Sequence, residues 1–190
     1  MNYILVKKAI LEANKLIRKY DIAEAPVDLL KIVKGEGLSV VTGNPKEDSD
    51  LSGFISFDEK KVYINNKDSN ERKSFTLAHE LGHWVLHKEE LQKNITMSRM
   101  YRKSYLKENN SFETEANVFA SNVLVPEDLL SFYMPESRVV YYLKNTSKFD
   151  TDETPKLLAD IFKVSKSMMY YRLVHYFRLK YMDLYGESLY

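Results

Sequence analysis

Three of the four histidines in this 190-residue chain fall within nine residues of one another. They lie in the segment 76–87, TLAHELGHWVLH, which contains the pattern His-Glu-x-x-His. On a helix, residues four apart lie one turn apart on the same face, so His79 and His83 could offer two imidazoles to one metal ion. Glu80 follows the first of them and could take a proton from a water molecule beside that ion. The spacing therefore predicts a metal site with an adjacent general base.

The residues around this segment favour a helix. Apolar side chains recur there at helical spacing with no proline, namely Phe75, Leu77, Ala78, Leu81, Val85 and Leu86. A chance pattern of half-exposed histidines is the alternative to a metal site. The helical flanks and a carboxylate-bearing helix downstream favour metal binding.

Glu113 and Glu115 are the candidates for a third metal ligand. They cannot both face one ion, because two positions along a helix correspond to a rotation of about 200°. We favour Glu113, because alanines at 116 and 120 on its face would let two helices approach closely. Asn117, one turn further on, could hydrogen-bond the outer nitrogen of a ligating imidazole. The alternative is that both glutamates are solvated, with Glu113 completing a capping box with Asn110.

Composition indicates one domain of ordinary size. The chain is 44% hydrophobic and 29% charged, and its net charge of +1 neither requires nor excludes nucleic acid. The lack of cysteine excludes disulfides and thiolate zinc sites, which leaves histidine and carboxylate as metal ligands. No apolar run approaches the roughly eighteen residues of a membrane span, and residues 1–20 are amphipathic and charged, unlike a signal peptide. We therefore expect a soluble cytoplasmic protein.

Periodicity predicts a helical and then a β-rich region ahead of the histidine segment. The expected elements are helices at 2–20 and 27–33, the second with Pro26 in its first turn, and strands at 38–42, 51–57 and 61–65. The last two strands should form a hairpin, with Val62 and Ile64 on one face and Tyr63 on the other. An edge of this sheet beside the metal could hold an extended substrate. The alternative is that the hairpin only covers the core.

The histidine helix is expected to begin at Ser69 or Asn70 and to continue to His87 or Glu90. A polar segment follows at 94–110, which we interpret either as a lid over the site or as a solvated connector. The remaining expected elements are a helix from Asn110 or Ser111, short helices at 127–133 and 135–142, a polar linker at 144–153, and a helical pair at 155–162 and 165–180.

The order and spacing of these motifs resemble the ImmA/IrrE family of metallopeptidases. The matching residues are the HELGH motif followed by Leu86-His87, then Glu113-x-x-Ala116-Asn117-x-Phe119-Ala120, and then Leu124-Val125-Pro126. The resemblance covers residues 50–135 closely and the C-terminal helices more loosely. It implies an α+β, zincin-like fold in which a small antiparallel sheet packs on the HExxH helix and the C-terminal region is helical. We place the metallopeptidase domain at 1–145 and a helix-turn-helix-like segment at 146–190.

The resemblance also implies how the site is built, with one Zn²⁺ per chain. The expected site residues are the metal ligands His79, His83 and Glu113, the general base Glu80, and Asn117 as the support of His79. The developing oxyanion needs a further donor, for which His87, Tyr101 and Tyr105 are candidates. For His87, we favour a structural or rim position over a catalytic role.

Proteases of the ImmA/IrrE family typically cleave and inactivate helix-turn-helix repressors of bacteria and their mobile elements. The resemblance therefore implies a site-specific anti-repressor endopeptidase that releases gene expression after a stress signal. Its partner would be a protein substrate, and no membrane partner is expected.

The C-terminal segment 158–173 supports a second class of function. It resembles a helix-turn-helix, and residues 163–180 carry five Lys or Arg and no acid, which could meet DNA phosphates or an acidic protein. However, Lys163 stands where such turns usually have glycine, and the apolar positions could pack onto the peptidase domain. We favour packing or substrate docking over direct DNA binding. The alternative function is a regulatory protein- or DNA-binding module, or a toxin–antitoxin component, with little protease activity.

Overall fold

The architecture is α+β, as the sequence predicts. The computed structural model describes residues 3–44, 51–93, 110–134, 137–138, 141 and 153–185. Within these ranges the chain forms seven helices and a three-stranded sheet. The elements are α1 (Tyr3–Lys19), α2 (Leu29–Gly35), β1 (Ser39–Gly43), β2 (Gly53–Ser56), β3 (Lys61–Asn65), α3 (Asn70–Lys93), α4 (Asn110–Leu124), α5 (Glu127–Tyr133), α6 (Thr154–Phe162) and α7 (Lys166–Tyr185).

The sheet is mixed, which corrects the expectation of an antiparallel sheet. Strands β2 and β3 form the predicted antiparallel hairpin, with Ile55 opposite Val62. Strand β1 pairs with the other edge of β3 in parallel, with Val40 beside Val62, so that the strand order is β1-β3-β2. The chain reverses direction twice between β1 and β3, so these two strands run the same way. As predicted, Val62 and Ile64 are buried and Tyr63 faces the other side.

Helix α2 begins later than the sequence prediction placed it. The carboxylate of Asp28 accepts a hydrogen bond from the Lys31 backbone N–H at 3.0 Å, which makes Asp28 the N-cap and starts the helix at Leu29. Pro26 therefore lies ahead of the helix and not in its first turn. The helix ends before Gly37, whose φ of +76° is the left-handed conformation that glycine adopts without strain.

Close contacts hold α3 between the sheet and α4. A Cβ atom placed on Gly82 of α3 would lie 3.1 Å from Phe119 and 3.2 Å from the Cα atom of Ala116, so only a very small residue lets these two helices approach so closely. Where the sheet packs on α3, a Cβ on Gly53 of β2 would lie 2.6 Å from the side chain of Thr76. The backbones of α3, α4 and β2 are thereby held in one compact arrangement around the histidine segment.

The C-terminal helices form the predicted pair. Lys163 ends α6 with φ 53° and ψ 47°, the left-handed conformation expected at the turn position where glycine is usual. Ser165 then caps α7, since its Oγ accepts a hydrogen bond from the Met168 backbone N–H at 3.2 Å. The buried side of this pair consists of Leu158, Phe162, Met168, Met169, Leu173 and Phe177, whereas Leu157 is exposed.

Arg172 belongs to the buried side of α7, which changes the interpretation of the basic segment 163–180. Its side chain is 1% exposed, and its Nε–H donates to the backbone carbonyl of Val125 at 3.0 Å. Burial lowers the pKa of Arg172 to about 10. This cation therefore fastens α7 to the end of α4 and does not contribute to a surface that could meet DNA phosphates.

Removing the Arg172 side chain is expected to destabilise the fold substantially. Arg172→Ala would leave the Val125 carbonyl without its donor and open a cavity, and we expect a loss of about 3 kcal/mol in the free energy of unfolding. Urea denaturation followed by circular dichroism measures this directly. Arg178→Ala is the control, because Arg178 lies on the exposed side of the same helix. Equal stability of the two variants would contradict the anchoring role of Arg172.

Several sequence predictions lie outside the described residues. These are the segment 94–109 with Tyr101 and Tyr105, most of the helix expected at 135–142, and the linker at 144–152. The division into domains at 1–145 and 146–190 stays a prediction. In the part of the chain that the structure describes, none of the helices combines the length and the apolar character needed to cross a membrane.

Candidate metal centre

Helix α3 carries the histidines on one face, as the spacing predicts. Ser69 caps its first turn, where its hydroxyl accepts a hydrogen bond from the Arg72 backbone N–H at 3.3 Å. The helix continues to Lys93, beyond the expected end. The rings of His79 and His83, one turn apart, meet edge to face with their centres 4.7 Å apart. Regular helical geometry is therefore sufficient to bring these two imidazoles together.

Glu113 of α4 completes a cluster of three donor groups. The Nε2 atoms of His79 and His83 lie 3.0 Å apart, and Glu113 carboxylate oxygens lie 3.3 Å from His79 Nε2 and 3.1 Å from His83 Nε2. Ligands about 2.0–2.1 Å from a tetrahedral ion are separated by roughly 3.3 Å. His79, His83 and Glu113 could therefore bind one metal ion.

The electrostatics of the cluster suit a cation. Burial disfavours the charged form of Glu113, but hydrogen bonds and charge from His79 and His83 outweigh burial and hold the pKa of Glu113 well below its usual range. Burial likewise disfavours charged His79, yet the Glu113 hydrogen bond and the negative charges of Glu80 and Glu113 raise the pKa of His79. An ionised carboxylate that faces two imidazole nitrogens is a suitable ligand for a divalent ion.

Asn117 lies where the sequence analysis expected it. Its Oδ1 atom is 2.9 Å from Nδ1 of His79. An amide oxygen only accepts hydrogen bonds, so His79 donates through Nδ1, and a neutral His79 would present its Nε2 lone pair to the cluster. Glu80 follows His79 on α3, is half-buried, and lies close enough for its charge to act on that imidazole.

Glu115 lies apart from the cluster and beside His87. Both side chains are buried, and Glu115 Oε2 lies 3.6 Å from His87 Nε2. The half-turn between Glu113 and Glu115 thus directs the two carboxylates to different histidines. Burial raises the pKa of Glu115, with the charge of Glu90 adding to the effect.

His87 lies on the side of the His83 ring that faces away from Glu113. Its Nδ1 is 3.1 Å from Nδ1 of His83, on the side of that ring opposite to Nε2, and its own ring stacks on Phe112 at 4.2 Å. Burial is the main cause that lowers the pKa of His87 to about 3, and the positive charge of Lys8 adds to it. This placement offers no support for an oxyanion contact by His87. The i, i+4 spacing from His83 puts His87 near the metal-facing side of the helix, but spacing alone does not show that the two rings meet through their Nδ1 atoms.

An α+β fold with a His-Glu-x-x-His helix and a glutamate on a second helix defines a metallopeptidase-like class of protein. A family model described as the IrrE N-terminal-like domain, of peptidase family M78, matches residues 37–174. The match covers more than half of the chain, and the chain belongs to this family. The expected resemblance to ImmA/IrrE proteins is thereby confirmed.

The chain is also similar to a phage protein and to a solved bacterial structure. Immunity region protein 2 of Bacillus phage phi105 is 28% identical over 133 residues, which cover 69% of this chain and 75% of the phage protein. A Mycobacterium tuberculosis transcriptional regulator matches with a TM-score of 0.54 and 15% identity over 86% of this chain. The chain spans only 45% of that regulator, and at this identity the match shows the fold alone.

Proposed function

We propose that this protein is a zinc-dependent endopeptidase that cleaves a helix-turn-helix transcriptional repressor. The convergence of His79, His83 and Glu113 on one point carries the proposal. Glu80 follows His79 on the same helix, and its charge acts on that imidazole. Two imidazoles and a carboxylate form a ligand set that leaves a coordination position for water or substrate, as in catalytic zinc sites. The chain has no cysteine for a closed structural site. A site without a catalytic role would have no need of the base.

Each residue around the cluster has a separate role in the proposed reaction. Zinc held there would polarise the scissile carbonyl and make a nearby water more acidic. Glu80, on the same helix, would take the proton from that water and pass it to the leaving amine. Asn117 holds His79 in the tautomer that presents Nε2. Strand β2, packed on α3 through Gly53, supplies a sheet next to the site on which an extended peptide segment could align.

Two observations support a repressor as the substrate. One is the similarity to the phage protein, and the other is the small number of exposed cations on the C-terminal helices. The name of the phage relative refers to an immunity region, and repressors are the control proteins expected in such a region. With Arg172 buried, fewer cations of α7 face outward than the sequence suggests, which disfavours DNA phosphates as the partner. We infer that the exposed side of α6 and α7 serves substrate docking.

Cleavage of a repressor tests this function. The purified protein is incubated with helix-turn-helix repressors from its own genome, with and without added zinc, and the products are analysed by mass spectrometry. We expect a single cut that requires zinc and that 1,10-phenanthroline prevents. The Glu80→Gln variant is the matched control. Stable binding of the intact repressor without any cut would instead establish the regulatory binding module.

A further inference from the structure

His87 and Glu115 form a buried polar pair that the proposed chemistry does not use. We propose that His87 is a positioning residue that fixes the tautomer and ring orientation of His83, and that Glu115 in turn orients His87. The inference rests on the proposed metal site and extends it from three ligands to the residues that hold those ligands in place.

The position of the proton on His83 determines which partner this ring requires. To present the Nε2 lone pair beside Glu113, a neutral His83 must carry its proton on Nδ1. That N–H needs an acceptor, because His83 is only 4% exposed. The atom within reach is Nδ1 of His87, at 3.1 Å. His87 therefore accepts through Nδ1, and its own proton sits on Nε2.

The proton on His87 Nε2 faces the carboxylate of Glu115. Glu115 Oε2 lies 3.6 Å from that nitrogen, slightly longer than a hydrogen bond and too close for a water molecule to lie between them. Among the described residues, His87 Nε2 has no other partner, and it is buried. A small rotation of Glu115 would complete a continuous series from Glu115 through His87 to His83.

Packing leaves the imidazoles of His83 and His87 little freedom to reorient. His87 is 2% exposed and stacks on Phe112, with 19° between the two ring planes. The two ligand imidazoles are then supported in the same way, each through its outer nitrogen. Asn117 accepts from His79, and His87 accepts from His83. Such outer partners hold metal-ligating histidines in one orientation.

The test measures zinc affinity and does not depend on catalysis. Dissociation constants are obtained by chelator competition for the wild type and for variants at position 87. Removing the outer partner of a ligating histidine weakens metal binding by about 10–100-fold. We expect a decrease of this size in the zinc affinity of His87→Leu. His87→Asn should bind close to wild type, because its side-chain oxygen lies near the position of the imidazole Nδ1. His87→Gln should bind weakly, because its longer side chain carries the oxygen past that position.

Controls separate positioning from folding. Leu86→Ala removes a buried neighbour on the same helix, so it lowers stability while leaving zinc affinity unchanged. Glu115→Gln should weaken binding less than His87→Leu, because it acts through one more contact. Substituting Co²⁺ and recording its visible spectrum gives a second readout, in which His87→Leu shifts the bands and His87→Asn does not.

The outcomes distinguish this inference from the proposed function. Zinc affinity in His87→Leu and His87→Gln equal to wild type would overturn the inference and leave the metal site intact. A wild-type chain that binds no zinc would overturn the metal site and the inference with it. If His87→Leu does not fold, the comparison of His87→Asn with His87→Gln decides, and equal affinities in that pair would overturn the positioning role.

Discussion

Replacing Glu80 by glutamine is expected to lower peptide-bond cleavage by about a thousandfold while the metal stays bound. Glutamine keeps the size of the side chain but cannot take a proton from water, and general acid–base catalysis contributes factors of about 10²–10⁴. Glu80 is not among the three groups that converge at the site, so the ligand set is unchanged. The measurement is the rate of repressor cleavage, together with the zinc content of the same preparation.

Glu89→Gln is the matched control for this prediction. Glu89 lies on the same helix, one residue beyond Lys88, and its side chain is exposed. The substitution removes the same charge from α3 without touching the site, so cleavage should stay at the wild-type rate. Comparable cleavage by Glu80→Gln and the wild type would show that another group activates the water. Loss of zinc from Glu80→Gln would show that Glu80 helps to hold the ion.

Removal of one ligand is expected to have the largest effect on metal content. The wild type should contain about one zinc per chain, and His79→Ala and Glu113→Ala should lose it after dialysis. Structural zinc sites with four ligands bind with about 10–16 kcal/mol, so one ligand is worth roughly 3 kcal/mol, or about a hundredfold in affinity. Elemental analysis and chelator competition measure the two quantities.

Glu115→Gln identifies which glutamate is the ligand. The structure directs Glu113 to His79 and His83, and Glu115 to His87. Glu115→Gln should therefore retain its zinc after dialysis, with only weakened affinity. Zinc retained in Glu113→Ala and lost in Glu115→Gln would contradict the assignment and transfer the ligand role to Glu115.

The local periodicity of the chain determined the elements that carry the site. Two histidines four residues apart on a helix share a face wherever the helix lies, so the pairing of His79 with His83 follows from helical geometry alone. The same reasoning set Glu113 and Glu115 on different faces and put Asn117 on the face of Glu113. Alternation in β3 likewise gave its buried and outward faces. The family resemblance then supplied the expectation that these elements meet.

Tertiary structure decided which side chains face which elements. Sequence patterns do not report pairing between distant strands, and the parallel arrangement of β1 with β3 became visible only in the sheet. Arg172 carries a charge that suggests an exposed position, yet its place on α7 puts it under the end of α4, where the Val125 carbonyl accepts its N–H. His87 has the same spacing from His83 as His83 has from His79. Its role depends on Phe112 and Glu115, which belong to another helix. Spacing along one helix is set by backbone geometry, whereas the partners of a buried polar group are set by the helix packed against it.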